Sequence, residues 1–120
     1  MFICLDSVRL DYFNKYASRL RDLADIDFSE CRAASSWSVP SYGSLMTGDL
    51  PSIHGSHAFN ESYNHLSQSD TFLSEFPECV SLGLSANPYA SPDFGFDDLF
   101  DSFIPTRPGK YNPDGMSVDS

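Results

Sequence analysis

Between residues 10 and 24, apolar side chains recur at intervals of three and four (Leu10, Phe13, Ala17, Leu20, Leu23, Ala24), with Asn14, Arg19, Arg21 and Asp22 on the opposite face. That period predicts an amphipathic helix of about four turns. Short apolar runs lie on either side of it: Phe2-Ile3-Cys4-Leu5 before, and Cys79-Val80-Ser81-Leu82-Gly83-Leu84-Ser85 far downstream. Runs of this kind suit strands buried in a parallel sheet. Strands alternating with helices constrain the fold strongly, because a crossover between parallel strands must lay its helix on a sheet face. The expected fold class is therefore α/β: part of a three-layer α/β/α sandwich with a mainly parallel sheet, spanning residues 1–104. The remainder, 105–120, is rich in Pro, Gly, Ser and Asp and reads as a coil tail.

Local signals fill in the middle of the chain. A second short strand is expected within residues 26–33. Pro40 suits the start of a helix, and the stretch from Ser41 to Thr47 stops at Gly48, so that Ser38 falls just before the helix N-terminus. Gly48-Asp49-Leu50-Pro51 and His54-Gly55 read as turns. Ser69 is placed to cap a helix through Phe72, Leu73 and Phe76, which Pro77 ends. Asn87-Pro88 and Ser91-Pro92 then force a loop after the strand at 79–85.

Seventeen acidic residues against seven basic ones give a net charge of −10. That field repels phosphate backbones and anionic lipid, so neither nucleic acid nor membrane is an expected partner. No apolar run approaches the roughly 18 residues of a membrane span, and no basic start precedes a hydrophobic segment, so a cytoplasmic location is the default expectation. An acidic surface poor in Lys also suits a salt-rich, halophile-like interior. Cys4, Cys31 and Cys79 are widely spaced and odd in number, which argues against a disulfide framework or zinc ribbon and for small buried thiols. His54, His57 and His65 fit no helical metal pair and are taken as structural or exposed. Asp93, Asp97, Asp98 and Asp101 match no EF-hand spacing and read as a solvated acidic face. Phe94, Phe96, Phe100 and Phe103, lacking a basic groove beside them, read as packing.

Two residues carry candidate chemistry. Ser38, at the mouth of a helix, would meet backbone N–H groups and the positive end of the dipole, both favourable to an anion. A plain helix cap is the commoner role for such a serine. With no Gly-x-Ser-x-Gly elbow, a nucleophilic Ser38 would need metal rather than a triad for activation. Asp6 closes the first apolar run, where a carboxylate either ligates a hard cation or turns the chain. One carboxylate and one hydroxyl cannot complete a calcium shell of six to eight oxygens.

Taken in order, these segments resemble the N-terminal region of sulfatases and related enzymes of the alkaline phosphatase superfamily. Residues Ile3-Cys4-Leu5-Asp6-Ser7-Val8-Arg9-Leu10-Asp11 resemble the opening strand with its metal-binding Asp. Ser38-Val39-Pro40-Ser41-Tyr42-Gly43-Ser44-Leu45-Met46-Thr47-Gly48 resembles the nucleophile segment, followed by Leu50-Pro51-Ser52-Ile53-His54-Gly55. Ser81-Leu82-Gly83-Leu84-Ser85-Ala86-Asn87-Pro88-Tyr89 and the Gly95-Phe96-Asp97 passage through Phe100-Asp101 resemble the next core strand and its sequel. The resemblance implies an alkaline phosphatase-like fold, truncated here, and hydrolysis of small sulfate or phosphate esters by in-line attack. It makes Asp6 a metal ligand and Ser38 both nucleophile and ligand, around a divalent ion: calcium first, with magnesium, manganese and zinc as alternatives. The metal would stabilise developing charge and lower the pKa of the nucleophile.

Departures from the family pattern shape the expectation. Tyr42 stands where the formylglycine motif has Arg, which argues against conversion of Ser38. Ser7 replaces a second Asp, and Asn87-Pro88-Tyr89 replaces a Lys-x-His segment. The family's remaining ligands come from a C-terminal segment, so an N-terminal fragment, a truncated form, or one half of a split enzyme with a C-terminal partner chain is expected. A non-catalytic homologue serving as an interaction module is the alternative. A haloacid dehalogenase-like phosphatase is disfavoured, because Val8 occupies the place of its second Asp.

Overall fold

The computed structural model describes residues 1–28 and 30–106. The chain divides into two compact units after Arg32. In the first, α1 (Leu10–Tyr16) and α2 (Ser18–Arg21) are separated by Ala17 at φ −104° and ψ 29°. The helical period is therefore present, but the expected continuous helix is broken. None of the described residues of this unit is buried, and Leu10, Leu20 and Leu23 are exposed. A helix this short holds in water chiefly through tertiary cover of its apolar stripe, which these residues lack. Surface contacts decorate α1 instead: Arg9 forks onto Asp11 (Nε to Oδ1 3.0 Å, Nη2 to Oδ2 2.8 Å) and its guanidinium lies 5.1 Å from the Tyr12 ring centre.

Residues 2–5 form no strand and are exposed, as is the segment around Asp27. A buried parallel strand needs a ladder neighbour and cover on both faces, and neither is supplied among the described residues. The cysteines also depart from expectation: Cys4, Cys31 and Cys79 are all exposed, because the segments that carry them contribute nothing to the core.

The second unit begins with α3 (Ser38–Thr47), which starts earlier than the sequence suggested. Trp37, extended at φ −144°, is the N-cap, and the Ser41 N–H reaches its carbonyl at 3.4 Å. Pro40 fits within the first turn because an N–H there has no helical partner to lose. Gly48 ends the helix at φ +79°, a conformation that penalises residues with a Cβ. Then α4 (Pro51–His54) opens on Pro51 and closes on Gly55, again at φ +79°. The helix expected from Ser69 to Phe76 is two 3-10 turns, Gln68–Asp70 and Phe72–Glu75. Ser67, not Ser69, makes the capping box with Asp70, and the Thr71 side chain accepts from the Leu73 N–H at 3.3 Å. Side-chain oxygens here compete with the backbone ladder and cut the helix into pieces.

Strand β1 (Leu82–Ser85) realises the C-terminal half of the expected apolar strand. It pairs in parallel with β2 (Ser102–Pro105), in the register Leu82↔Ser102, Gly83↔Phe103, Leu84↔Ile104. Between them, 3-10 turns at Pro92–Phe94 and Asp97–Leu99 replace a crossover helix. Val39, Met46, Tyr63, Ala90, Phe96 and Leu99 form the core, with Phe94, Phe100 and Phe103 packed against it. Gly83 faces that core, because a Cβ there would collide with the Phe103 and Phe100 rings. By strand alternation Leu82 and Leu84 point away, and they are 62% and 66% exposed. Residues 107–120, most of the expected coil tail, lie outside the described residues. Among the described residues no helix is long and apolar enough to cross a membrane.

Candidate functional site

Ser38 occupies the first helical position of α3 and is half-buried. Its neighbour Trp37 makes no side-chain cap; the indole packs edge-on to Tyr89, centroids 6.3 Å apart at 90°. Tyr89 lies four residues beyond the carboxyl end of β1, in a turn built by Asn87, whose Oδ1 accepts from the Tyr89 N–H at 2.8 Å. The aromatic pair thus ties the N-terminus of α3 to the loop leaving β1. Open α/β sheets collect ligands outside the carboxyl ends of their strands. Ser41 Oγ donates to the Ser35 carbonyl at 3.0 Å and fixes the serine-rich approach to α3.

Farther along α3, the imidazole of His54 lies against Gly43, where an added Cβ would sit 2.5 Å from Cε1. His54 is 5% exposed. Its Nδ1 accepts from the Ser56 N–H at 3.1 Å, which places the proton of the neutral ring on Nε2, 3.1 Å from Ser44 Oγ. Burial holds its pKa below the ordinary 6.5; the Pro40 carbonyl opposes, His65 adds to the lowering, and Asp49 opposes. His65 is exposed, yet its Nε2 donates to the His54 carbonyl at 2.6 Å and its Nδ1 receives the Asn60 amide at 3.2 Å. The same Asn60 amide also donates to the Gly55 carbonyl at 3.0 Å. Of the two placements expected for His54, structural or exposed, the ring is buried, with both nitrogens in hydrogen-bond contact.

Asp6 lies in the first unit, in a turn with Ser7, whose Oγ donates to Asp6 Oδ1 at 3.3 Å; Ser7 has φ +59°. The strand tip expected for Asp6 is thus a turn, the other role open to it. Among the described residues no group of three or more His, Cys, Asp or Glu is gathered to hold a metal ion. One carboxylate and one hydroxyl fall short of the six to eight oxygens of a calcium shell.

Two features escaped the sequence. Asp101, at the entry to β2, accepts from the Ser81 N–H and Oγ at 2.7 Å each, and the Asp101 N–H returns to Ser81 Oγ at 2.9 Å. The Ser81 N–H and hydroxyl, with Gln68 beyond them, hold the Asp101 carboxyl below the ordinary 3.8. The second is Tyr63, wholly buried, its hydroxyl without a hydrogen-bond partner among the described residues. Burial, and next the Tyr42 phenol, raise its pKa above the ordinary 10.0. No periodicity reports contacts this distant along the chain. No family model, curated protein or solved structure matches the chain.

Proposed function

We propose that this chain is the N-terminal portion of a sulfatase-like hydrolase of small sulfate or phosphate esters, with Ser38 as its nucleophile and Asp6 as a ligand to a divalent ion, calcium first. The reading rests on the ordered motif resemblance. The observation that most supports it is the anchoring of α3, by Trp37 on Tyr89, to the loop at the carboxyl end of β1. Further ligands, and the rest of a three-layer sandwich, would come from another segment or a partner chain. Calorimetric titration of the purified chain with calcium, magnesium, manganese and zinc tests it, beside Asp6→Ala and Ser38→Ala and with aryl sulfate and phosphate hydrolysis as a second readout. Saturable binding lost in both variants is expected. Binding that survives both substitutions would remove these residues from the metal site.

A second reading, a non-catalytic interaction module, is favoured by one observation. The outer face of the β1–β2 pair presents Leu82, Leu84 and Ile104 to solvent, whereas parallel sheets are ordinarily covered on both faces. Metal-dependent hydrolysis by the chain would eliminate it.

A further inference from the structure

The His54 imidazole sits in the contact between α3 and α4, and both of its ring nitrogens are engaged. Nδ1 is the acceptor for the Ser56 N–H, and Nε2 faces Ser44 Oγ on α3. The ring fills the space left by the missing Cβ of Gly43, so it cannot move toward α3 to find another arrangement. Ser56 is itself fully buried, its Oγ donating to the Ser62 carbonyl at 2.9 Å, so the His54 ring and the loop from Gly55 to His65 are held together. A second proton on the ring would land on Nδ1 and set an N–H against the Ser56 N–H. Two donors would then face each other in a buried contact, and the cation would have lost most of its water.

We propose that His54 is an acid-released latch: protonation of Nδ1 breaks the Ser56 hydrogen bond and loosens the α3–α4 corner together with the loop that follows it. The charged and titratable groups around the ring oppose one another. Asp49, in the connection between the helices, favours the imidazolium, and His65, beyond α4, disfavours it. The ionisable side chain of α3, Tyr42, packs edge-on to Phe96 at 5.8 Å. Because the ring is held neutral in the folded state and is free to protonate when the corner opens, opening becomes easier as pH falls below the ordinary 6.5. The latch does not depend on Ser38 being a nucleophile.

The test is amide hydrogen exchange on the full chain between neutral pH and mild acid, corrected for intrinsic exchange, with an NMR titration of the imidazole protons. Protection at Ser56 should fall by up to about tenfold per pH unit over the range in which the closed ring stays neutral, the limit for a one-proton opening. His54→Asn keeps an acceptor near the Nδ1 position and cannot titrate, so its Ser56 protection should be flat across the same range. His65→Gln, which keeps a donor for the His54 carbonyl, should retain the full pH dependence. Protection that stays level in the wild type, or a pH dependence that disappears with His65→Gln, would overturn the latch. Should His54→Asn fail to fold, the wild-type exchange profile and His65→Gln still decide.

Discussion

Replacing Tyr63 by Phe should stabilise the protein. The ring of Tyr63 is wholly buried, stacks edge-on to Phe96 with centroids 5.0 Å apart, and is anchored by its N–H on the Phe94 carbonyl at 2.8 Å. Phe preserves all three features and removes only the hydroxyl, which has no partner among the described residues. A buried, unsatisfied hydroxyl costs about 1–3 kcal/mol relative to its hydrated state in the unfolded chain, so the variant should gain about 1–2 kcal/mol. For a unit of this size that raises Tm by several degrees, on the order of 4–8 °C per kcal/mol. Thermal and denaturant unfolding followed by circular dichroism would measure it. The alkaline limb supplies a second check. A phenol whose folded pKa is raised contributes stability that is present below the ordinary 10.0 and lost as pH climbs above it. Tyr63→Phe should remove that contribution to the alkaline loss. A variant less stable than wild type at neutral pH would refute the reasoning, because it would mean that the hydroxyl is satisfied in solution.

Three further outcomes follow from the same contacts. Gly43→Ala drives a Cβ to 2.5 Å from the His54 ring and should cost about 1–3 kcal/mol, read as a lower denaturant midpoint; an unchanged midpoint would show that the ring yields freely. In Asp101→Asn the acid limb should flatten: the depressed folded pKa of Asp101 gives stability present above the ordinary 3.8 and lost as pH falls through the lower folded value, measurable in melts from neutral pH to strong acid. Leu82→Thr with Leu84→Thr changes only the exposed face of β1, so stability should hold within about 0.5 kcal/mol per site while self-association by light scattering declines; a larger loss would mean that the face is covered in solution.

How much of this was legible depended on the range of the interaction. The end of α3 was readable at Gly48 because one residue type fits a left-handed conformation without penalty, and β1 was readable in part because Leu82 and Leu84 stand in a short apolar-rich run. Strand β2 was not, since Ser102–Pro105 opens on a serine and ends in a proline. Its pairing begins at the Ser81–Asp101 clamp, between residues twenty positions apart. The helix expected at residues 69–76 failed for a local reason that composition hides: Ser67, Asp70 and Thr71 each spend a side-chain oxygen within their own turns. For the site, Pro40 and Gly48 put Ser38 just before the helix, whereas it is the first residue of α3, and the Trp37–Tyr89 contact beside it joins residues no local pattern relates.

The uncovered face of the β1–β2 pair carries an energetic consequence. Leu82, Leu84 and Ile104 are 62%, 66% and 49% exposed. Full burial of an aliphatic side chain stabilises by about 1.5–3 kcal/mol, so covering the exposed fraction of these three would contribute roughly 3–5 kcal/mol. A whole domain is stable by only about 5–15 kcal/mol, and an isolated two-stranded sheet is marginal in water. A layer over this face would therefore add a substantial fraction of the total stability of such a unit. The inner face, by contrast, is already complete: Gly83 admits the Phe100 and Phe103 rings, and these continue into Phe96 and the buried core. Such an asymmetry, one face closed by aromatic packing and the other aliphatic and bare, makes the outer face the side on which added cover would stabilise the strand pair most.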